Sequence, residues 1–360
     1  MSRSLLSVLV VGVGVLLAGC GSSHSSAGLP RHAVGTYNTG AGNGPTAVAV
    51  QGDFAYVVNA CGVTCYSPLD VLDVSNHASP SLVGSTEVSW GASGIAAQGT
   101  YLYTTGYSAN PNYMRIVDVS QPSTPTSAAA FTIAGSHPRA IAVQGTYAYM
   151  LDYGSSSLEV IDVSNPRASS FSTDLNSSPN SLPLAGSVRT AAGPSAIAMH
   201  GGHAYVVNAI ADNLQVLDIS DPAHPVVAGT SASLGPGGSS GSSFSGIAVQ
   251  GSRVYVADYD TNSMQVLDVS HPASPAVIAT VSAGKNPDAI FVQGHYAYVL
   301  NKGEDTMQVF DVAAPASPKS LGVIPTGAEP DSVVVSGRYA YVANYASSSL
   351  QIFDLGALRR

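Results

Sequence analysis

A seven-residue phrase of the type LQVLDIS, residues 214–220, recurs seven times along the chain and restricts it to very few folds. The copies are LDVLDVS from Leu69, MRIVDVS from Met114, LEVIDVS from Leu158, LQVLDIS from Leu214, MQVLDVS from Met264, MQVFDVA from Met307 and LQIFDLG from Leu350. A second phrase of the type AIAVQGTYAYV precedes each copy. Its Gly falls at Gly52, Gly99, Gly145, Gly201, Gly251, Gly294 and Gly337, and its Tyr at Tyr56, Tyr103, Tyr149, Tyr205, Tyr255, Tyr298 and Tyr341. The shortest step, Gly251 to Gly294 to Gly337, is 43 residues. Short alternating strands repeated at that period make the blades of a β-propeller, so the expected fold is all-β, a seven-bladed β-propeller of four-stranded antiparallel blades.

The composition agrees. Only 10% of the 360 residues are charged, and 37 Gly and 22 Pro supply the turns that many short strands need. A chain this long is often two domains, but a closed ring of repeats is one, here residues 33–360. The net charge of −9, and 13 basic residues with no run longer than Arg359 and Arg360, argue against nucleic acid as a partner.

Residues 1–19 read as an export signal. Arg3 supplies a positive start, residues 5–17 are mostly apolar, and LAGC at residues 17–20 closes the segment with small residues. The apolar stretch is shorter than the ~20 residues that span a bilayer. The LAGC ending resembles the lipobox of bacterial lipoproteins, which implies cleavage before Cys20 and acylation of that residue. The alternative is an ordinary secretory signal with an incidental Cys. Residues 20–32 then form the lipidated Cys and a flexible tether. Gly21 lacks the Asp that retains some lipoproteins at an inner membrane, so the expected location is the outer membrane or the cell surface.

Cys61 and Cys65 are the two other thiols. In an exported protein a close pair is most often a disulfide. The CGVTC spacing differs from that of redox pairs, and a zinc site needs further ligands nearby.

The fifth repeat illustrates one blade. GIAVQ from Gly246 is the inner strand, RVYVADY the second, MQVLDVS the third and AVIATVS the fourth, with a turn at Gly251 and a Pro-rich turn at HPASP. The repeated Asp (Asp73, Asp118, Asp162, Asp218, Asp268, Asp311, Asp354) ends the third strand before a turn, where a carboxylate accepts backbone N–H bonds. A residue present in every blade serves the blade, and the repeated Tyr packs between sheets on the same logic. The last repeat ends without a fourth strand. AVGTYNTG at residues 33–40 resembles SLGVIPTG at residues 320–327, so the N-terminal strand is expected to complete blade 7 and close the ring.

The third-strand phrases LEVID and LQIFD resemble the LVIVD-repeat family of bacterial surface and exported proteins. YVVN at Tyr205 and YVAN at Tyr341 are also similar to the YVTN class of seven-bladed propellers. The resemblance covers about residues 33–355 and implies a propeller in the cell envelope, but no reaction.

Function is therefore sought where the repeats differ. On the upper face, around the channel mouth, the larger loops are residues 61–68, 108–113 and 233–245; an insertion from Ser169 is expected on the lower rim. Just before each inner strand stand Thr46, Ser93, Arg139, Ser195, Ser245, Asp288 and Asp331. Arg139, Asp288 and Asp331 are the charged members, with His137 and Trp90 close in sequence, and these five are the candidate ligand-binding residues. Carboxylates facing Arg and His can bind a polar ligand or run acid–base chemistry; exposed charges at a hydrated mouth are the plainer alternative. His200, His203 and His224 lack the accompanying carboxylates or thiols of a metal site, and no nucleotide, serine-hydrolase or zinc-protease motif is present, so neither metal nor cofactor is expected. The leading reading is a lipid-anchored binding module for an envelope or extracellular protein or a glycan. The alternatives are a lactonase- or hydrolase-like enzyme using the channel mouth and a structural surface-layer component.

Overall fold

β-branched and aromatic residues alternate along each repeat, and Gly, Pro, Asn, Asp or Ser stand at the reversals, so the chain folds as short antiparallel strands. A computed structural model describes residues 28–40, 42, 44–60, 66–106, 112–133, 137–167, 180–181, 184–235 and 244–359. The expected signal peptide, Cys20, the Cys61/Cys65 pair and most of the tether lie outside the described residues, as do parts of the loops after Gly106, Arg167 and Gly235.

Blade 5 consists of Phe244–Gln250, Arg253–Asp258, Ser263–Asp268 and Ala276–Ser282, the four strands expected of its repeat. Blades 1 to 7 occupy residues 45–90, 92–133, 138–189, 194–230, 244–282, 287–325 and 330–354, each a separate antiparallel sheet whose strands follow chain order outward. Second and third strands are buried on both faces, because every sheet is sandwiched between two others.

The seventh sheet is completed by Gly35–Asn38 from the other end of the chain. Gly35 pairs with Ile352 and Tyr37 with Leu350, and Val34 N donates to Ile352 O at 2.7 Å. The Tyr37 hydroxyl also hydrogen-bonds Asp70 of blade 1, so the closing strand ties the two ends of the ring together. Blade 2 has a fifth strand. Asn180–Ser181, the described part of the insertion expected on the lower rim, pairs in parallel with Thr126–Ile133 at the outer edge of blade 2.

The lower face is uniform. Every repeated Asp accepts a backbone N–H two residues on: Asp73 from Ser75 at 2.9 Å, Asp118 from Ser120 at 2.8 Å, Asp162 from Ser164 at 2.8 Å and Asp218 from Ser220 at 2.9 Å. Asp268 does so from Ser270 at 2.8 Å, Asp311 from Ala313 at 2.9 Å and Asp354 from Gly356 at 2.8 Å. The seven repeated Tyr are all buried.

Candidate functional site

One backbone irregularity builds the upper rim. The register between first and second strands slips by one residue in every blade, between Pro45 and Ala47, Ala92 and Gly94, Pro138 and Ala140, Pro194 and Ala196, Phe244 and Gly246, Pro287 and Ala289, and Pro330 and Ser332. The extra residues are Thr46, Ser93, Arg139, Ser195, Ser245, Asp288 and Asp331, the seven expected to ring the mouth. A bulge of this kind re-aims its side chain.

Where the bulge residue is Ser or Thr it staples the structure. Thr46 Oγ1 lies 3.3 Å from the carbonyl oxygens of Val58 and, in the next blade, Ala92. Ser93 Oγ donates to Pro138 O of the next blade at 3.1 Å, and Ser195 Oγ to Val207 O at 3.2 Å. An ionised Asp cannot donate in this way. Asp288 and Asp331 instead share a cation that sequence reasoning missed, Lys302: its Nζ stands 3.6 Å from Asp288 Oδ2 and donates to Asp331 Oδ1. Asp288 is 2% exposed, Asp331 1%, and the Lys302 side chain 16%. The two aspartates are therefore buried and share one internal cation rather than being displayed as open charges.

The electrostatics follow from that arrangement. Burial works against the Lys302 ammonium, but the charges of Asp288 and Asp331 outweigh it and hold the lysine above its ordinary range. Burial raises the Asp331 carboxyl, Lys302 pulls it down and Asp288 pushes it up; the net direction is upward because burial outweighs the pull of Lys302 and the Asp288 charge adds to it. The Tyr259 phenol is raised by burial and then by the charge of Asp288.

Arg139 is held elsewhere. Its guanidinium lies over the Tyr153 ring at 4.4 Å, and burial lowers its pKa with Tyr153 opposing. Neither aspartate enters that balance, so the structure brings Asp288 and Asp331 together and leaves Arg139 apart from them. Arg139 Nη1 is buried without a hydrogen-bond partner among the described residues.

His137 is a backbone device as much as a side chain. It adopts φ 72° before Pro138, as Asn286 (52°), Glu329 (51°) and Gly193 (69°) do before Pro287, Pro330 and Pro194. Its carbonyl accepts Tyr153 N at 3.1 Å, as Asn286 O accepts Lys302 N at 3.0 Å and Glu329 O accepts Tyr345 N at 2.8 Å. Among the described residues this bond sets the residue after the second strand beside the bulge residue in blades 1, 3, 4, 6 and 7. In the sequence the corresponding positions of the seven repeats read Ala60, Tyr107, Tyr153, Ala209, Tyr259, Lys302 and Tyr345; comparing them between repeats is the signal that finds Lys302 and the tyrosines. Trp90 ends the fourth strand of blade 1, with its backbone paired to Tyr66.

The histidines of blade 4 sit on the lower face. His200 and His203 pair across the first turn, and His224 Nδ1 is 2.9 Å from Asp221 Oδ2. Among the described residues no three His, Cys, Asp or Glu converge as a metal site, and no helix is long and apolar enough to cross a membrane.

Solved structures resemble this fold at low sequence identity. The periplasmic gluconolactonase of Pseudomonas aeruginosa matches with TM-score 0.67 and 15% identity over 91% of this chain and 100% of that one. A candidate 6-phosphogluconolactonase of Bacteroides fragilis matches with TM-score 0.64 and 14% identity over 86% and 99%. The WD40 propeller domain of Doa1 matches with TM-score 0.64 and 11% identity over 91% and 97%. At such identities the likeness is one of fold alone, and a fold hosts many functions. No curated protein matches the chain. The LVIVD repeat model matches residues 45–88, 91–132, 135–176, 194–232, 241–282, 284–326 and 329–355, one match in each blade. The strands, their seven-fold order and these matches agree: the chain belongs to the LVIVD-repeat family.

Proposed function

We propose that the protein is an envelope-anchored binding module that engages its partner with the upper rim. One observation carries this reading: the partly exposed Arg139 guanidinium lies over the Tyr153 ring and pairs with no carboxylate among the described residues. A desolvated donor on an aromatic ring suits an acceptor-rich ligand, such as a carboxylate on a protein or the oxygens of a glycan. The half-buried Tyr153, Tyr259 and Tyr345 add aromatic surface.

Hydrolysis of a sugar lactone is the alternative that the gluconolactonase likeness raises. The acid–base group at the mouth is occupied by its own ion pairs, which favours binding over catalysis. Export and acylation at Cys20 belong to the same proposal and place the module at the outer membrane or cell surface.

The test is affinity capture from the native envelope with the soluble chain from Gly21, beside Arg139→Ala and Tyr153→Ala variants. A partner held by the parent and lost in both variants supports the reading. Equal retention by all three proteins removes Arg139 from it. Lactone turnover by the parent without a captured partner would replace binding by catalysis.

A further inference from the structure

Four of the seams between blades are filled by one recurring device. A glycine in the fourth strand admits the lower turn of the following blade. A Cβ at Gly84 would stand 2.2 Å from the Pro122 carbonyl oxygen, at Gly186 2.4 Å from that of Pro222, at Gly229 2.2 Å from that of Pro272, and at Gly35 2.0 Å from that of His77. Gly322 of blade 6 is the fifth member of this column. Blade 7 has no such turn to offer it, because its third strand runs into the short 3-10 helix Gly356–Arg359.

Leu29 takes the vacant place, its Cδ1 2.9 Å from the Cβ position at Gly322. Leu29 and Ala33 pack with Leu358 on a cluster that includes Ile324 and Leu355, and Tyr296 donates its hydroxyl to Leu358 O. The segment expected to be a free tether up to residue 32 is thus seated from Leu29 onward.

Chain direction then decides where the N-terminal segment leaves. Gly35–Asn38 runs from lower to upper face like every fourth strand, so Leu29 sits at the lower face, at the seam of blades 6 and 7. Eight residues separate Cys20 from Leu29, and the nine steps between them reach about 30 Å at full extension. The strands set the upper rim roughly 20 Å farther from that exit.

We propose that the lower face is apposed to the lipid headgroups of the membrane, with Leu29 as the seat that orients it, and that the upper rim bearing Arg139 and Tyr153 points away. The inference rests on the reading of Cys20 as acylated.

The single tryptophan, Trp90, provides the probe, because its backbone stands at the upper end of a fourth strand. The acylated full chain is placed in vesicles of phosphatidylethanolamine and phosphatidylglycerol doped with a headgroup-labelled quencher lipid. An Ala316→Trp, Trp90→Phe variant moves the fluorophore to the exposed lower turn of blade 6. Trp90 should keep the emission it has in the unacylated Cys20→Ala chain, the lower-turn fluorophore should lose most of its emission, and Leu29→Gly should reduce that loss. Equal quenching at both positions, or stronger quenching of Trp90, overturns the orientation. Mass spectrometry distinguishes the failures: a bare Cys20 removes the anchor and the orientation with it, whereas an acylated chain without lower-face quenching removes the orientation alone.

Discussion

Asp152 stands against Glu159 across the second and third strands of blade 3, where blade 4 places Asn208 Nδ2 3.2 Å from Gln215 Oε1. Blade 5 fills the same position with Gln265 donating to Asp258 at 3.2 Å, and blade 1 with Asn59 donating to Asp70 at 2.9 Å. Only blade 3 opposes two carboxylates. Burial, with the Asp152 charge added, raises the Glu159 carboxyl to about 7.

A pH dependence follows. The folded state binds the Glu159 proton more tightly than the unfolded chain, so the stability this contributes is complete below the ordinary glutamate range and is lost as pH rises through about 7. Glu159→Gln should stabilise the protein at pH 8 by about 1–3 kcal/mol, after allowance for the partial exposure of the side chain. Near pH 4 it should change little. Urea midpoints at the two pH values check this, and an equal shift at both would refute it.

Lys302 is the cation that two buried aspartates share. Lys302→Met leaves them without a cation and should cost roughly 3–5 kcal/mol at neutral pH, less in acid where a carboxylate can keep its proton. The combined change Asp288→Ser, Asp331→Ser, Lys302→Ala gives blade 6 the pattern of Ser195 and Ala209 in blade 4 and blade 7 a serine at the bulge, and should recover most of that loss. Thermal melts of the two variants at pH 7 decide; a triple variant as weak as Lys302→Met would mean that the cluster does more than staple the blades.

Two glycines are needed for different reasons. Gly229→Val would drive a side chain into the Pro272 carbonyl and should cost roughly 2–4 kcal/mol. Gly251 has φ 58° with nothing within 4 Å of a Cβ, so Gly251→Ala should cost only about 1 kcal/mol of backbone strain. Denaturant midpoints should rank them in that order.

Closure by Gly35–Asn38 predicts that deleting residues 33–40 abolishes the single cooperative unfolding transition, because the Ser349–Asp354 edge and the seam to blade 1 both lose their cover. Tyr37→Phe, which removes only the bond to Asp70, should cost about 1–2 kcal/mol and leave the transition cooperative. Calorimetry distinguishes the two; a cooperative melt of the truncated chain would show that the ring does not depend on this strand.

The strands, the Asp caps and the closing strand were legible in the sequence because they repeat. Asp268 and its six counterparts meet the backbone N–H two residues on in every blade, and the match between residues 33–40 and 320–327 marks a strand displaced to the other end of the chain. Such features depend on neighbours a few residues away, or on a pairing the repeat itself announces.

The upper rim follows a different rule. Which charges meet there depends on bulges that re-aim Asp288 and Asp331 and on the packing of blade 6 against blade 7, which brings in Lys302 and leaves Arg139 with Tyr153. Leu29 lies in a segment whose Gly and Ser read as tether; its seat exists only because blade 7 lacks the lower turn that fills Gly84, Gly186 and Gly229 in other seams. The sequence by itself determined the ring, since local periodicity and turn chemistry suffice to build one blade seven times over. Only the tertiary structure decided the electrostatics of the rim and the exit of the N-terminus, because burial and contact between blades are properties of the closed ring rather than of any one repeat.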